Sequence, residues 1–237
     1  VLTYIWNFND GTPTVQGVDE TDVDHIFADD GIYTVQLTVQ DDDGGSTSQS
    51  MTVTVGNEPP TIISMDGPAD GDQGETLSFS ALAQDPGDPV LSYQWDFGDG
   101  STPESGDNLT DVIHAYGDPG VYTVTLTVSD GDGGTRSQTL EVEIGNVPPT
   151  VTNLDVSGTQ TEGQALTFSA DAFDPSGADL DWQWDFGDGS PVVSGVNLDS
   201  VQHTYDDEGS GSYTVTVTVT DPGGAAGGDT LNVAVAN

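Results

Sequence analysis

Acidic and amide side chains gather in three short stretches that supply the ligand type preferred by a hard cation. In the middle of the chain these stretches are Asn57-Glu58, Asp85-Pro86-Gly87-Asp88 and Asp130-Gly131-Asp132. Carboxylate and carbonyl oxygens, roughly six to eight of them, are what Ca²⁺ requires. The same residues also suit ordinary turns, because an Asp side chain can hydrogen-bond the backbone beside a glycine. The choice between a calcium site and solvated turns depends on the elements that position these stretches.

A six-residue motif indicates that the stretches belong to repeated units. Trp95-Asp96-Phe97-Gly98-Asp99-Gly100 returns at residues 184–189 and, in altered form, at residues 6–11, with 89 residues between successive copies. A spacing of this size predicts tandem copies of one domain. The expected copies are the first repeat (1–57, with its first strands missing), the middle repeat (58–146) and the third repeat (147–237).

The motif itself predicts a β-strand that ends in a turn. Tyr93, Trp95 and Phe97 lie two positions apart, so their side chains point to the same side of a strand and predict a core. Asp99 lies between two glycines, where it predicts a turn cap. Residues 33–39 alternate between apolar and polar side chains, as expected for a half-buried strand. These patterns predict an all-β fold.

The first repeat lacks the segment that precedes Trp95 in the middle repeat, including residues 76–81. A sandwich without its first two strands exposes a core face and an unpaired edge. We expect that the preceding sequence has been cut away; the alternative is that another chain supplies those strands.

The combined motifs resemble the PKD (polycystic kidney disease) domain. In the middle repeat the resemblance is carried by the six-residue motif, by His114-Ala115-Tyr116 and by the strand at residues 120–130. It implies tandem immunoglobulin-like β-sandwiches that serve outside the cell as spacers or binding modules. Tyr33, at the start of its strand, suits the tyrosine corner of such sandwiches, in which the hydroxyl returns to upstream backbone. The proline pairs at residues 57–61 and 146–150 predict short, semi-rigid linkers and hence an elongated array.

In an immunoglobulin-like order of strands, the three acidic stretches converge at the edge that faces the linker, which predicts a calcium site there. The resemblance agrees, because some PKD domains bind calcium near their linker. The third repeat offers fewer ligands, since residues 221–224 lack the second Asp; its segment at residues 209–212 is also two residues longer than its equivalent. The predicted ligands are Asn57, Glu58, Asp85, Asp88, Asp130 and Asp132 in the middle repeat, Asn146, Asp174, Asp179 and Asp221 in the third, and Asp41 and Asp43 in the first.

The composition excludes one class of partner and disfavours another. One Arg and no Lys stand against 41 acidic residues, for a net charge of −40. So negative a chain cannot neutralise phosphates, which excludes nucleic acid, and it is repelled by anionic lipid. No apolar run approaches the ~20 residues that a membrane helix needs, so we expect no membrane insertion in this segment. Cysteine is absent, so no disulfide is expected.

The histidines do not predict an active site. His25, His114 and His203 repeat with the same 89-residue period, which indicates a packed, hydrogen-bonded feature of each copy. A hydrolase needs a nucleophile, a base and a group that orients the base, and no such set stands out here. The paired acids of a glycosidase remain open by composition, but the repetition argues against them.

The sequence therefore predicts a non-catalytic, extracellular or cell-surface repeat protein that forms a rod, stalk or filament, with calcium at its joints. Its expected partners are neighbouring copies of the repeat or of the chain, and surface glycans or proteins. One alternative is an accessory spacer, or a substrate-presenting domain, of a large secreted enzyme such as a protease or polysaccharide hydrolase. A third reading, a carbohydrate-binding module, requires exposed aromatic side chains, and among the mostly inward-facing aromatics Trp182 is the best candidate.

Overall fold

A computed structural model of the chain describes residues 1–206 and 211–236, and every helix or strand in those ranges is a β-strand. The predicted all-β fold is confirmed. The described ranges contain no helix long and apolar enough to cross a membrane. The extension predicted at residues 209–212 falls partly on Gly209 and Ser210, which lie outside the described residues.

The chain divides into two compact units. The first unit consists of Val1–Gly67, Phe79–Val112 and Thr123–Leu140. The second consists of Pro68–Ser78, Ile113–Tyr122 and Glu141–Asn237.

The first repeat forms one four-stranded antiparallel sheet in the order β2-β1-β3-β4. Trp6 on β1 lies opposite Leu37 on β3, and the side chains of Phe8 and Val35 are each only 5% exposed. Met51, which lines the same apolar depression as Trp6, is 60% exposed. The strands are β1 (Leu2–Asn7), β2 (Val15–Val18), β3 (Gly31–Asp41) and β4 (Ser46–Val55).

The middle repeat forms a three-stranded sheet, β10-β7-β5, and a five-stranded sheet, β6-β12-β11-β8-β9. Its strands are β5 (Thr61–Asp66), β6 (Asp70–Asp72), β7 (Leu77–Gln84), β8 (Ser92–Asp96), β9 (Glu104–Asp107), β10 (Asp111–His114), β11 (Gly120–Ser129) and β12 (Thr135–Gly145). Strand β6 pairs with the end of β12 in parallel, with Asp70 opposite Glu143 and Asp72 opposite Gly145.

The core prediction for the middle repeat is confirmed. Tyr93, Trp95 and Phe97 are at most 2% exposed. The ring of Phe79, on β7, lies 6.5 Å from that of Trp95 and 5.6 Å from that of Phe97, so the two sheets meet through these aromatic side chains. The tyrosine corner predicted at Tyr33 of the first repeat is also confirmed, because the Tyr33 hydroxyl donates to Asp29 O at 3.0 Å. The Tyr122 hydroxyl of the middle repeat donates in the same way to Asp118 O at 2.8 Å.

The third repeat forms the sheets β13-β14-β17 and β16-β15-β18-β19 around one apolar core. Trp182 is 4% exposed and stacks beside Trp184 with ring centroids 6.1 Å apart, so its predicted exposure is wrong. The reason is the two-residue spacing, which turns both indoles inward. The strands are β13 (Thr150–Ser157), β14 (Ala165–Phe173), β15 (Asp181–Asp185), β16 (Val193–Val196), β17 (Ser200–Thr204), β18 (Gly211–Thr220) and β19 (Ala226–Val235). A parallel bridge between Thr161 and Ala236 takes the place of the β6-β12 pairing.

Candidate metal centre

In the predicted site of the first unit, hydrogen bonds to both carboxylate oxygens hold Asp130 in place. Its Oδ2 accepts a hydrogen bond from Asn57 Nδ2 at 3.0 Å, and its Oδ1 accepts the backbone N–H groups of Asp132 at 3.0 Å and Gly134 at 2.7 Å. The Asn57 hydrogen bond is the main cause that lowers the pKa of Asp130, with the backbone donors adding to it. The carboxylate is 9% exposed and is thereby held ionised and oriented.

Glycine is required at position 134 because the turn closes tightly around this carboxylate. A Cβ at Gly134 would lie 2.1 Å from Asp130 Oδ2 and 2.9 Å from Pro59 Cα. The turn that follows β11 is therefore fitted against the start of the linker, and the Asp-Gly-Asp-Gly-Gly sequence meets this steric demand.

The loop at residues 85–88 joins the same cluster. Asp88 Oδ2 accepts Gly131 N at 2.9 Å, which ties this loop to the turn of Asp130. Asp85 Oδ1 accepts Gly87 N at 2.9 Å, whereas its Oδ2 is buried and has no hydrogen-bond partner among the described residues. A cavity of about 100 Å³ is lined by Asp85 together with Asn57 and Glu58. The structure thus brings residues from all three predicted stretches of the middle repeat together.

Two ligand candidates in this cluster were missed by the sequence prediction. Oxygens of Asp29, Asp30 and Asp132 all lie within 4.8 Å of one another. Burial and then the charge of Asp29 raise the pKa of Asp30. The charge of Asp30 and then burial raise the pKa of Asp132. The only signal in the sequence is the pair of acids at Asp29 and Asp30, just before the strand of Tyr33. The middle repeat has Asp118 and Pro119 at the equivalent positions.

The third repeat has an Asn–Asp hydrogen bond equivalent to that between Asn57 and Asp130. Asn146 Nδ2 donates to Asp221 Oδ2 at 3.0 Å, and Asp221 Oδ1 accepts Ala225 N at 2.9 Å. Asp221 is 6% exposed. The other two predicted ligands have neighbours of their own: Asp174 Oδ1 accepts Ser176 N at 3.0 Å, and Asp179 Oδ1 accepts Asn197 Nδ2 at 2.7 Å.

The first repeat has a hydrogen-bonded turn like that of Asp130, but this turn is exposed. Asp41 Oδ1 accepts Asp43 N at 3.1 Å and Gly45 N at 2.6 Å, as Asp130 does in its own turn. Both Asp41 and Asp43 are exposed. The hydrogen bonds that Asp41 accepts are those of an ordinary Asp-Gly turn.

The histidines have the packed role that was expected. His203 stacks on Phe186 with centroids 3.9 Å apart and places Nε2 2.7 Å from Asp188 Oδ2. His25 stacks on Phe8 at 3.7 Å and contacts Asp10 in the same way. The pKa of Asp10 falls to about 2, chiefly because the Thr12 hydroxyl donates to it and also because of His25. His25 and His203 thus each link an aromatic core to the Asp-containing turn of their repeat, and His114 packs edge-on against Tyr116 with ring centroids 4.7 Å apart.

Comparison with known proteins finds one family for all three repeats. The family model described as PKD domain matches residues 1–55, 57–144 and 146–235. Collagenase ColA of Bacillus cereus is 36% identical over 91 residues, which make up 38% of this chain and 9% of that protein. A microbial collagenase of Vibrio alginolyticus is 41% identical over 75 residues, or 31% of this chain and 9% of that protein.

A solved structure, the PKD1 domain of Vibrio anguillarum Epp, is 28% identical, with a TM-score of 0.32, and covers 39% of this chain and 98% of that chain. The chain spans about a tenth of the length of the two collagenases that it matches. Because the family model matches three successive segments that cover nearly all of its residues, the chain belongs to the PKD domain family.

Proposed function

We propose that this chain is a non-catalytic, extracellular structural or adhesive repeat segment that forms a rod, stalk or filament, and that calcium stiffens its joints. The three tandem PKD matches support a repeat module, since the same fold and the same packed histidine recur along the chain. The proposed partners are neighbouring copies of the repeat or of the chain, together with surface glycans or proteins.

The observation that carries the calcium proposal is the oxygen cluster of the first unit. Asp29, Asp30 and Asp132 crowd within 4.8 Å, and Asp85 Oδ2 is buried without a partner among the described residues. Like charges this close repel one another, and a buried carboxylate oxygen without a donor is costly. A hard divalent cation would relieve both costs, and Asn57 and Glu58 supply further oxygen atoms near it.

Weak binding is sufficient for such a role. Calcium sites of extracellular modules bind at about 10⁻⁴ to 10⁻³ M. Because Asp29 and Asp30 come from the first repeat and Asp132 from the middle repeat, a bound ion would couple the two sequence segments. The expected consequence is a stiffer joint together with partial neutralisation of the net charge of −40.

The alternative is that these repeats are accessory spacers or substrate-presenting domains of a large secreted enzyme. It is supported by the two collagenases, of which the matched segment represents only 9% each. A test for self-assembly separates the two proposals. Calcium-dependent sedimentation of the purified chain as a filament supports the structural role, whereas a chain that stays monomeric but binds a protein or polysaccharide substrate supports the accessory role.

The calcium proposal is tested by thermal unfolding and small-angle scattering in millimolar calcium and in chelator, at fixed ionic strength. We expect calcium to raise the melting temperature and to narrow the range of conformations of the wild-type chain. The double variant Asp30→Asn, Asp132→Asn should lose most of this response. Glu141→Gln, Glu143→Gln removes the same charge from exposed positions on β12 and serves as the matched control. An equal response in the wild type and the double variant would refute the proposed site.

A further inference from the structure

A groove crosses the sheet β13-β14-β17 of the third repeat. It consists of two adjoining cavities of about 540 and 420 Å³, which share Ala170, Asp171 and Asp199 as lining residues. Leu180 and Trp182, both at most 6% exposed, contribute apolar surface to the second cavity. The groove thus combines an apolar floor with acidic walls.

An aromatic side chain is exposed at the β14 end of the groove. Phe173 lines the second cavity and is 71% exposed, although a ring of this size is usually buried. An exposed aromatic face beside carboxylates suits a cation, because a Lys or Arg head group can interact with the ring face while its stem packs on the ring.

The third repeat contains no Lys or Arg with which the carboxylates of the groove could pair. The single basic residue of the whole sequence other than histidine is Arg136, which belongs to the middle repeat. Asp171 Oδ2 is oriented by a hydrogen bond from Asn153 Nδ2 at 2.7 Å, and the side chains of Asp171 and Asp199 are exposed. These charges are available to a partner of opposite charge.

A buried carboxylate in the same groove has an oxygen without a donor in the described part of the chain, as Asp85 has in the middle repeat. Asp174, next to Phe173, lines the second cavity and is only 5% exposed. Its Oδ2 is buried and has no hydrogen-bond partner among the described residues. Because a buried charged oxygen without a donor is costly, a donor supplied from outside the chain would be bound favourably here.

The middle repeat shows that the fold does not require these residues. It carries Leu82, Gln84 and Thr110 at the positions of Asp171, Phe173 and Asp199. It also has Tyr93 in place of Trp182, and the Tyr93 hydroxyl accepts the N–H of Ala83 at 3.2 Å. The acidic, aromatic character of the groove is therefore particular to the third repeat.

We propose that this groove binds an extended, cationic polypeptide segment. A Lys or Arg side chain of the segment pairs with Asp171 and Asp199, and its stem packs on Phe173. The ion pairs and the ring contact use Asp171, Phe173 and Asp199, none of which is a predicted calcium ligand and none of which the middle repeat has. Asp174 is in contrast one of the predicted calcium ligands, so the test is carried out in chelator. Charge complementarity of this kind selects the partner and speeds its association.

The test is a titration of the full chain with a labelled, arginine-rich peptide, followed by fluorescence anisotropy in chelator at near-physiological salt. A peptide with glutamine in place of each arginine is the ligand control. The variant Asp171→Leu, Phe173→Gln, Asp199→Thr gives the third repeat the residues of the middle one, and Glu141→Gln, Glu143→Gln removes the same net charge elsewhere. The reverse variant, Leu82→Asp, Gln84→Phe, Thr110→Asp, transfers the groove residues to the middle repeat.

We expect the triple variant of the third repeat to weaken peptide binding about tenfold, as the loss of two exposed ion pairs and one aromatic contact implies. The charge control should change the affinity less than about twofold. Tighter binding by the reverse variant would support the assignment even if the first variant were poorly folded. Equal weakening in the triple variant and the charge control, or equal affinity for the arginine and glutamine peptides, would overturn it.

Discussion

The oxygen cluster around Asp130 and the corresponding turn around Asp221 share a framework and differ in charge. In both, an Asn side chain of the linker donates to the buried Asp at 3.0 Å, and the other carboxylate oxygen accepts a backbone N–H four residues later. Among the residues that the structure describes, a further group of acids within 4.8 Å of one another, Asp29, Asp30 and Asp132, is found at the first cluster alone. The framework is thus a turn that caps the linker, and we propose that the surrounding acids decide whether such a turn binds a cation.

The largest effect is expected where the two turns differ sterically. Ala225 occupies in the third repeat the position of Gly134, yet a Cβ at Gly134 would lie 2.1 Å from Asp130 Oδ2. Gly134→Ala should therefore destabilise the chain by about 1–3 kcal/mol, the usual cost of forced overpacking. Chemical denaturation measures the change, and Ala225→Gly is the control, for which we expect less than about 1 kcal/mol. Similar losses in both variants would show that the two turns are equally tolerant.

The second-largest effect is expected for the Asn–Asp hydrogen bond that both turns contain. Asn57→Ala removes the main donor that lowers the pKa of Asp130, so this pKa should rise toward its ordinary value. Calcium affinity should fall because Asp130 loses the hydrogen bond that orients it and the site loses the oxygen of Asn57, itself a predicted ligand. Titration of the carboxyl followed by NMR, with calcium binding by calorimetry, tests both points. Asn146→Ala, which removes the donor to Asp221, should leave the calcium affinity of the first cluster unchanged, and a loss there would contradict the assignment.

The smallest effect is a pH dependence that separates the crowded acids from the oriented one. The folded-state pKa values of Asp30 and Asp132 are raised, so folding favours their protonated forms and stability falls as the pH rises above about 4 through the raised values. The pKa of Asp130 is lowered, so its contribution is present above about 4 and is lost as the pH falls through the lowered value.

The measurement is thermal unfolding in chelator from about pH 3 to pH 7. The double variant Asp30→Asn, Asp132→Asn should flatten the decline at the upper end and leave the acid side unchanged. Calcium should flatten the same upper end in the wild-type chain. A decline of unchanged slope in the variant would place its origin in other carboxylates.

The sequence was sufficient to predict features that depend on local periodicity. Alternation placed Tyr93, Trp95 and Phe97 in a core, and the repeat of Asn57 and Asp130 as Asn146 and Asp221 indicated a recurring turn at each linker. The same periodicity argued against an exposed Trp182, since this residue lies two positions before a core indole. The exposure expected of Trp182 is wrong because strand alternation turns its indole to the same side as that of Trp184.

Features that depend on the meeting of distant loops were not predictable from the sequence. Asp29 and Asp30 precede their own strand in the first repeat, and only the three-dimensional structure brings them to Asp132. The groove of the third repeat was missed for a related reason. Asp171 and Asp199 lie on different segments, and each alone resembles one of the many solvated acids of a chain with 41 of them.

The parallel pairing of β6 with β12 has a mechanical consequence. β6 lies near the beginning of the middle repeat and the paired part of β12 lies at its end, so tension applied along the chain pulls the two strands in opposite directions along their length. Their hydrogen bonds then resist in shear and must break together, whereas the antiparallel hairpin of β3 and β4, if pulled at its two open ends, yields one pair at a time. Under load, the middle repeat is therefore expected to hold longer than the first.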